Sequence, residues 1–72
     1  MNKNIYTADH KYFVKKLKEA REENGLEQKQ AAKLLGKTQS YVSKIESGQR
    51  RIDVIQLKKF AKIYNKDLSF FI

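Results

Sequence analysis

A polar segment in the middle of the chain, GKTQSYVSKIESGQRR, holds the side chains best suited to forming hydrogen bonds with a partner. Its interior contains two apolar residues, Val42 and Ile45, three positions apart and surrounded by Gln, Ser, Tyr and Lys. This spacing predicts a helix that the two residues anchor while its other faces stay free for contact. The alternative is a helix that is merely solvated. The polar positions around the two anchors are Gln39, Ser40, Tyr41, Ser43 and Lys44.

The chain offers little material for catalysis or metal binding. It has no cysteine and a single histidine, His10, which excludes disulfides and cysteine-based metal sites. No nucleophile, base and orienting group can be assembled from these residues, so we predict neither an enzyme nor a cofactor. The sequence also lacks a long apolar run and a signal-peptide core, which predicts a cytoplasmic protein that does not enter membranes.

The charge balance favours a polyanionic partner. The 72 residues include 16 Lys and Arg against 8 Asp and Glu, a formal net charge of +8. Residues 25–51 carry six basic and two acidic side chains, so the excess is largest around the polar segment. Nucleic acid and an anionic membrane surface both suit such a charge, and solubility alone is the third explanation. A membrane binder is disfavoured because the broad Trp, Phe and Leu face that inserts into lipid is missing.

Three glycines divide the chain into short helices. Gly25, Gly36 and Gly48 each follow a helix-like segment, where glycine readily takes the left-handed conformation that ends a helix. No run alternates apolar and polar residues for long enough to predict a strand. The sequence therefore predicts a compact all-α domain with five helices, at about 8–24, 28–35, 39–47, 54–65 and 67–72.

Capping residues and apolar spacing support these helices. Thr7 or Asp9 can cap the first, Thr38 the third, and Asp53 with Gln56 the fourth. Apolar residues at helical spacing predict the core. The predicted core comprises Phe13, Val14, Leu17, Ala20, Ala31, Ala32, Leu35, Val42, Ile45, Val54, Leu57, Phe60 or Ala61 and Tyr64, and the last helix carries Leu68, Phe71 and Ile72.

The second and third helices are separated only by residues 36–38. So short a turn makes the two helices cross steeply, which is the helix-turn-helix arrangement. Ala32 is small where the helices come closest, and Leu35, Val42 and Ile45 fill the wedge between them. These requirements are met together over residues 28–47.

The same segments resemble a known family. GLEQ, AAKLLG, QSYVSKIESGQRR and LKKFAKIY are similar to the lambda-repressor-like DNA-binding domains, the Cro/cI or XRE family, and the resemblance covers most of the chain from Leu17 onward. It implies a five-helix domain over residues 11–72, preceded by an N-terminal arm at 1–10. Two positions depart from the family pattern: Glu27 stands where Ser or Thr is usual, and Ile52 where proline is often found.

The resemblance implies that the third helix lies in the major groove of double-stranded DNA. Gln39, Ser40 and Lys44 are then the main base-reading candidates, while Tyr41 and Ser43 contact bases or phosphates. Gln can bond adenine at two points and Lys can donate to guanine acceptors. The implied phosphate contacts are Gln28, Lys37, Thr38, Gln49, Arg50 and Arg51.

Further implications concern stability and assembly. The resemblance implies an ion pair between Arg21 and Glu46 that steadies the recognition helix, with two unpaired surface charges as the alternative. It also implies a homodimer on a near-palindromic operator. In the tail LSFFI, Phe70 and Ile72 either cap the core of one subunit or join Phe71 in a contact with a second subunit.

The function expected from the resemblance is transcription regulation, most often repression. Two related roles use the same fold: an antitoxin, which would also have a protein partner, and a controller of a restriction–modification operon. A protein-interaction adaptor is less favoured because it would not need Arg50 and Arg51 beside the recognition helix.

Overall fold

Four α-helices and one 3₁₀ turn form the domain in a computed structural model that describes residues 8–72. The helices are α1 (Ala8–Glu23), α2 (Gln28–Leu35), α3 (Gln39–Glu46) and α4 (Val54–Ile63), and the 3₁₀ turn is Leu68–Phe70. The all-α prediction is confirmed, and residues 8–72 contain no strand. The prediction of a fifth helix is wrong, because the last element is a single 3₁₀ turn.

The first helix begins at Ala8, where the sequence predicts it. Ala8 to His10 form the first turn of α1, and His10 is buried. Thr7, one of the two predicted caps of this helix, lies outside the described residues. Asp9 lies within the first turn of α1, where a carboxylate interacts favourably with the positive end of the helix dipole.

Local side-chain bonds set the starts of α3 and α4. The Thr38 hydroxyl oxygen accepts a hydrogen bond from the backbone N–H of Tyr41 at 3.1 Å. Asp53 accepts one from the backbone N–H of Gln56 at 2.8 Å, and the Gln56 side chain accepts one from the backbone N–H of Asp53 at 3.2 Å. Each bond satisfies a backbone donor that the first turn of a helix leaves without a partner. Both predicted caps are confirmed.

The end of α4 is tied to the end of α1. The helix ends two residues before the predicted boundary, and Asn65 adopts a left-handed φ of 56°. The Asn24 side-chain amide donates to the backbone carbonyls of Ala20 at 2.9 Å and Tyr64 at 2.5 Å. Lys66 forms an ion pair with Glu23 at 2.5 Å. These contacts hold the last turn of α4 against α1.

The core lies where the helices meet, and most of its members were predicted. Its largest fully buried side chains are Tyr64, Phe60, Phe71, Leu17, Ile45 and Val42.

Val54 corrects the predicted core, because it is 57% exposed. Val54 is the first residue of α4, and the first buried residue of this helix is Leu57. Ile72 is 83% exposed, which disfavours the alternative in which it caps the core. Phe71 is 1% exposed, so its side chain belongs to the core of one subunit and is not available to contact a second.

The buried histidine predicts acid-sensitive stability. Burial, and secondarily the charge of Arg51, lowers the pKa of His10 from its usual 6.5. The unfolded chain then binds a proton more readily than the folded chain, so stability is complete above pH 6.5 and falls as the pH drops toward the folded pKa. The slope is at most about 1.4 kcal/mol per pH unit. We expect the urea midpoint to fall between pH 7 and 5.

The control for this expectation is the variant His10→Gln, whose urea midpoint should change less over the same pH range, whatever its absolute stability. Ordinary carboxylates titrate at about 4 and contribute little in this window. Equal pH slopes for the two proteins would show that His10 is not the responsible group.

Candidate nucleic-acid interface

The helix α3 packs against α2 with one side and leaves its polar side uncovered. Val42 and Ile45 are 0% and 1% exposed. Within the described residues, the exposed side chains of this helix have no hydrogen-bond partner and no ion pair. Their donors and acceptors are therefore free to bind a ligand. These exposed side chains are Gln39, Ser40, Ser43 and Lys44.

Tyr41 connects this polar side to two cations. Its half-buried ring stacks on Phe60 at a centroid distance of 6.5 Å and an interplanar angle of 11°. The Lys37 ammonium nitrogen lies 5.2 Å from the Tyr41 ring centroid, and the guanidinium carbon of Arg50 lies 4.9 Å from it. Cations at this distance are attracted by the ring. The core residue Phe60 thus supports a ring that holds two predicted phosphate contacts, Lys37 and Arg50, near one another.

The Tyr41 hydroxyl keeps its proton at neutral pH. Burial raises the pKa of this phenol, and the nearby charge of Arg50 opposes the rise only in part. The protonated hydroxyl can donate a hydrogen bond to a phosphate or to a base acceptor. Either contact agrees with the two roles expected for Tyr41 from the sequence.

Arg21, from α1, and Glu46, the last residue of α3, form an ion pair. Arg21 Nε and Nη2 donate to the two carboxylate oxygens of Glu46 at 2.7 and 3.0 Å. Their side chains are 9% and 5% exposed. Arg21 Nη1 also donates to the Leu26 carbonyl at 2.7 Å, and the hydrogen bond to Glu46 raises the pKa of the guanidinium. The two-point contact fixes the end of α3 to α1.

Gln28 joins this pair, which sequence reasoning missed. Its Nε2 donates to Glu46 Oε1 at 3.1 Å. Because Glu46 can only accept, this bond orients the Gln28 amide and leaves its second N–H available to a partner. Gln28 is also the first residue of α2. No sequence signal links the two residues, which are 18 positions apart.

The loop after α3 folds back on the end of that helix. The backbone N–H groups of Gln49 and Arg50 donate to the Lys44 carbonyl at 2.9 and 3.2 Å, and the Ser47 hydroxyl donates to it at 3.1 Å. Gly48, buried with a left-handed φ of 84°, permits the sharp turn. The loop therefore carries Gln49 and Arg50 alongside α3.

Two of the predicted phosphate contacts, Thr38 and Arg51, do not lie against the Tyr41 ring as Lys37 and Arg50 do. The Thr38 oxygen accepts the capping bond from Tyr41, although its hydroxyl hydrogen can still donate. Arg51 lies beside the start of α1, where it lines an open groove with Asp9 and His10. The structure therefore brings Lys37, Tyr41 and Arg50 together, whereas Arg51 lines a groove at the start of α1.

Among residues 8–72, no group of three His, Cys, Asp or Glu side chains is placed to hold a metal ion. In the same part of the chain, no helix has both the length and the apolar character needed to cross a bilayer.

Comparison with known proteins agrees with this architecture. Residues 17–71 match a family model described as helix-turn-helix. The chain is 40% identical over 57 residues to the HTH-type transcriptional regulator PuuR of Escherichia coli (strain K12), and equally similar to the protein of that name from Shigella flexneri. The match covers 79% of this chain but 31% of each relative, so the chain spans about a third of their length. Given this match and the short turn between α2 and α3, the chain belongs to the lambda-repressor-like, Cro/cI-type helix-turn-helix family of DNA-binding proteins.

Proposed function

We propose that this chain binds double-stranded DNA at specific sequences and acts as a small transcriptional regulator, most often a repressor. The observation that carries the proposal is the exposed side of α3, whose polar side chains have no partner among residues 8–72 while Val42 and Ile45 anchor the helix. An α-helix fits the major groove, and its first residues reach the base edges. The transcriptional regulators to which the chain is similar support this proposal.

Base reading is assigned to the exposed side of α3. Gln39, Ser40 and Lys44 are the principal base contacts, and Ser43 and Tyr41 lie beside them. Gln39 can bond adenine at two points, and the Lys44 ammonium can donate to guanine acceptors. Ser40 is small enough to adapt to either partner.

Phosphate contacts surround this surface. Gln28 offers an oriented side-chain amide beside the backbone N–H groups at the start of α2, where the helix dipole favours an anion. Arg50 and Lys37 lie over the Tyr41 ring, which limits their side-chain freedom before DNA arrives. The complete proposed set is Gln28, Lys37, Thr38, Gln49, Arg50 and Arg51.

Arg50→Ala is expected to weaken binding to every duplex and to make the salt dependence less steep. Removing one phosphate contact should reduce the slope of log K against log salt by about 0.9. Fluorescence anisotropy between about 50 and 200 mM salt measures this slope. Lys62→Ala, at an exposed position of α4, removes the same charge and serves as the control. Equal slopes for the two variants would remove Arg50 from the phosphate set.

A homodimer is the proposed form on DNA, because a two-fold protein axis matches a near-palindromic operator. Ile72 is almost fully exposed and Phe70 partly so, and they remain candidates for the contact after Phe71 is excluded. Val54 and Ile55, each 57% exposed, add apolar surface at the start of α4. Sedimentation equilibrium with and without DNA tests this; a monomer in both conditions would contradict it.

Selection from random duplexes at fixed salt is the direct test of the proposed function. We expect enrichment of a near-palindromic sequence whose half-sites are separated by about one helical turn, or 10 base pairs. Enrichment of single half-sites would retain sequence-specific binding but contradict the dimer. Recovery of a pool with no sequence preference would contradict the function itself.

A further inference from the structure

A groove lined by lysines lies between α1 and the C-terminal end of α3. Its volume is about 340 Å³. Lys11, Lys15 and Lys18 line it from α1, and its buried lining residues are His10, Val14 and Gly48. The three lysines, which we call the lysine row, recur at intervals of four and three residues, so they share one stripe of the helix. The lysine row belongs neither to the core of the domain nor to the exposed side of α3.

The lysine row carries charge that the fold does not neutralise. All three side chains are exposed, and within residues 8–72 none has an ion pair, a hydrogen bond or an aromatic partner. Lys16, on another side of α1, differs: it pairs with Glu19 at 3.4 Å and lies 4.7 Å from the ring centroid of Phe70. Like charges at these helical spacings repel one another. A bound anion would relieve that repulsion.

The acidic residues near the row do not cancel its charge. Glu46 lines the same groove, but its carboxylate is already engaged by Arg21 and by Gln28. Glu22 lies four residues beyond Lys18 on the same stripe, and no ion pair joins the two. Among residues 8–72, the groove therefore presents three ammonium groups that have no ion-pair partner.

The groove lies next to residues that are proposed to contact DNA phosphates. Its wall on the α3 side is formed by Ser47 and Gly48, directly before the loop that carries Gln49 and Arg50. Glu46, in the same wall, holds the oriented amide of Gln28. The groove of the lysine row thus shares its α3 wall with the residues that hold Gln28 and that lead into the loop of Gln49 and Arg50. Lys11 and Lys18 are seven positions apart, about 10 Å along the helix, which corresponds to about three base-pair steps of 3.4 Å along the DNA axis.

We infer that Lys11, Lys15 and Lys18 bind the sugar–phosphate backbone of DNA beside the site contacted by α3, so that the footprint extends beyond the helix-turn-helix unit. This inference rests on the proposed DNA-binding function. It assigns no sequence information to the row, because phosphate contacts position a protein and base contacts specify the sequence. The row instead raises affinity for any duplex that continues past the specific site.

The test compares two triple variants of equal charge change. In one, Lys11, Lys15 and Lys18 are replaced by glutamine; in the other, Lys58, Lys59 and Lys62, exposed lysines of α4 outside this groove, are replaced in the same way. Binding to the selected duplex is measured across a salt series. We expect the α1 variant to have a slope smaller than that of the control by about 2 to 3, at about 0.9 for each phosphate that the variant no longer neutralises. Thermal unfolding checks that both variants remain folded.

Trimming the duplex provides a second readout. Removing the flanking base pairs on each side of the selected site should reduce the affinity of the unmodified chain and of the α4 control. It should leave the affinity of the α1 variant nearly unchanged, because that variant no longer binds the flanks.

The outcomes separate this inference from the function on which it rests. If the unmodified chain binds selected DNA but both triple variants show the same slope and the same response to trimming, the lysine row does not bind DNA and the proposed function stands. If the unmodified chain selects no duplex, the proposed function fails and the inference fails with it. A smaller slope for the α1 variant alone, together with disappearance of the flank effect, supports the inference.

Discussion

Replacing Glu46 with alanine is expected to lower the free energy of unfolding by about 3–5 kcal/mol, the usual cost of removing one partner of a buried ion pair. The remaining guanidinium of Arg21 would lose two hydrogen bonds while staying largely shielded from water. Because domains of this size have total stabilities of about 5 kcal/mol or little more, most of the cooperative transition should be lost. Urea denaturation followed by circular dichroism at 25 °C measures the effect.

Two controls show whether the loss of stability comes from the stranded charge. Glu22→Ala removes an exposed carboxylate one residue after Arg21, and it should change stability by no more than about 0.5 kcal/mol. The double variant Arg21→Met/Glu46→Leu removes both charges and should recover much of what Glu46→Ala loses. If the double variant is less stable than Glu46→Ala, the unpaired charge is not the main cause.

The second large effect is expected in sequence discrimination. In the double variant Gln39→Ala/Lys44→Ala, two side chains that have no partner within residues 8–72 are truncated on the exposed side of α3. Each specific base contact contributes about 1–3 kcal/mol of discrimination. We therefore expect the preference for the selected site over random DNA to fall by about 2–6 kcal/mol, or at least about 30-fold. Competition binding with the two duplexes at one salt concentration measures this ratio.

Arg50→Ala is the contrasting variant for this prediction. It should weaken binding to both duplexes by similar factors, because a phosphate contact carries no sequence information. The α3 variant should keep its folded stability, since Gln39 and Lys44 are exposed and alanine favours helix. An unchanged ratio of specific to random binding in the α3 variant would mean that these two residues do not read bases.

The lengths and ends of the helices were largely predictable because their causes are local. Thr38, and Asp53 with Gln56, cap helices through bonds that span three residues. Gly36, with a left-handed φ of 73°, ends α2 where predicted. The last turn was misjudged for a related reason, since apolar spacing in five residues cannot distinguish an α-helical turn from a 3₁₀ turn.

The candidate interface was predictable only in outline. The spacing of Val42 and Ile45 identifies the buried side of α3, and the exposed polar side follows from it. The contacts that position the residues around α3 could not be predicted in this way, because they join residues from different helices and loops. Tyr41 holds Lys37 and Arg50 because Phe60, from α4, supports its ring.

The sequence by itself determined where α1, α2 and α3 begin, where α4 begins and which side of α3 is free, because hydrogen bonds and helical periodicity act over a few residues. Only the tertiary structure decided that Gln28 is held by Glu46, that Phe71 is buried and Val54 exposed, and that the lysine row of α1 lies beside the end of α3. Periodicity identifies the side of a helix but not the element that packs against it. That choice depends on how all four helices fill one core.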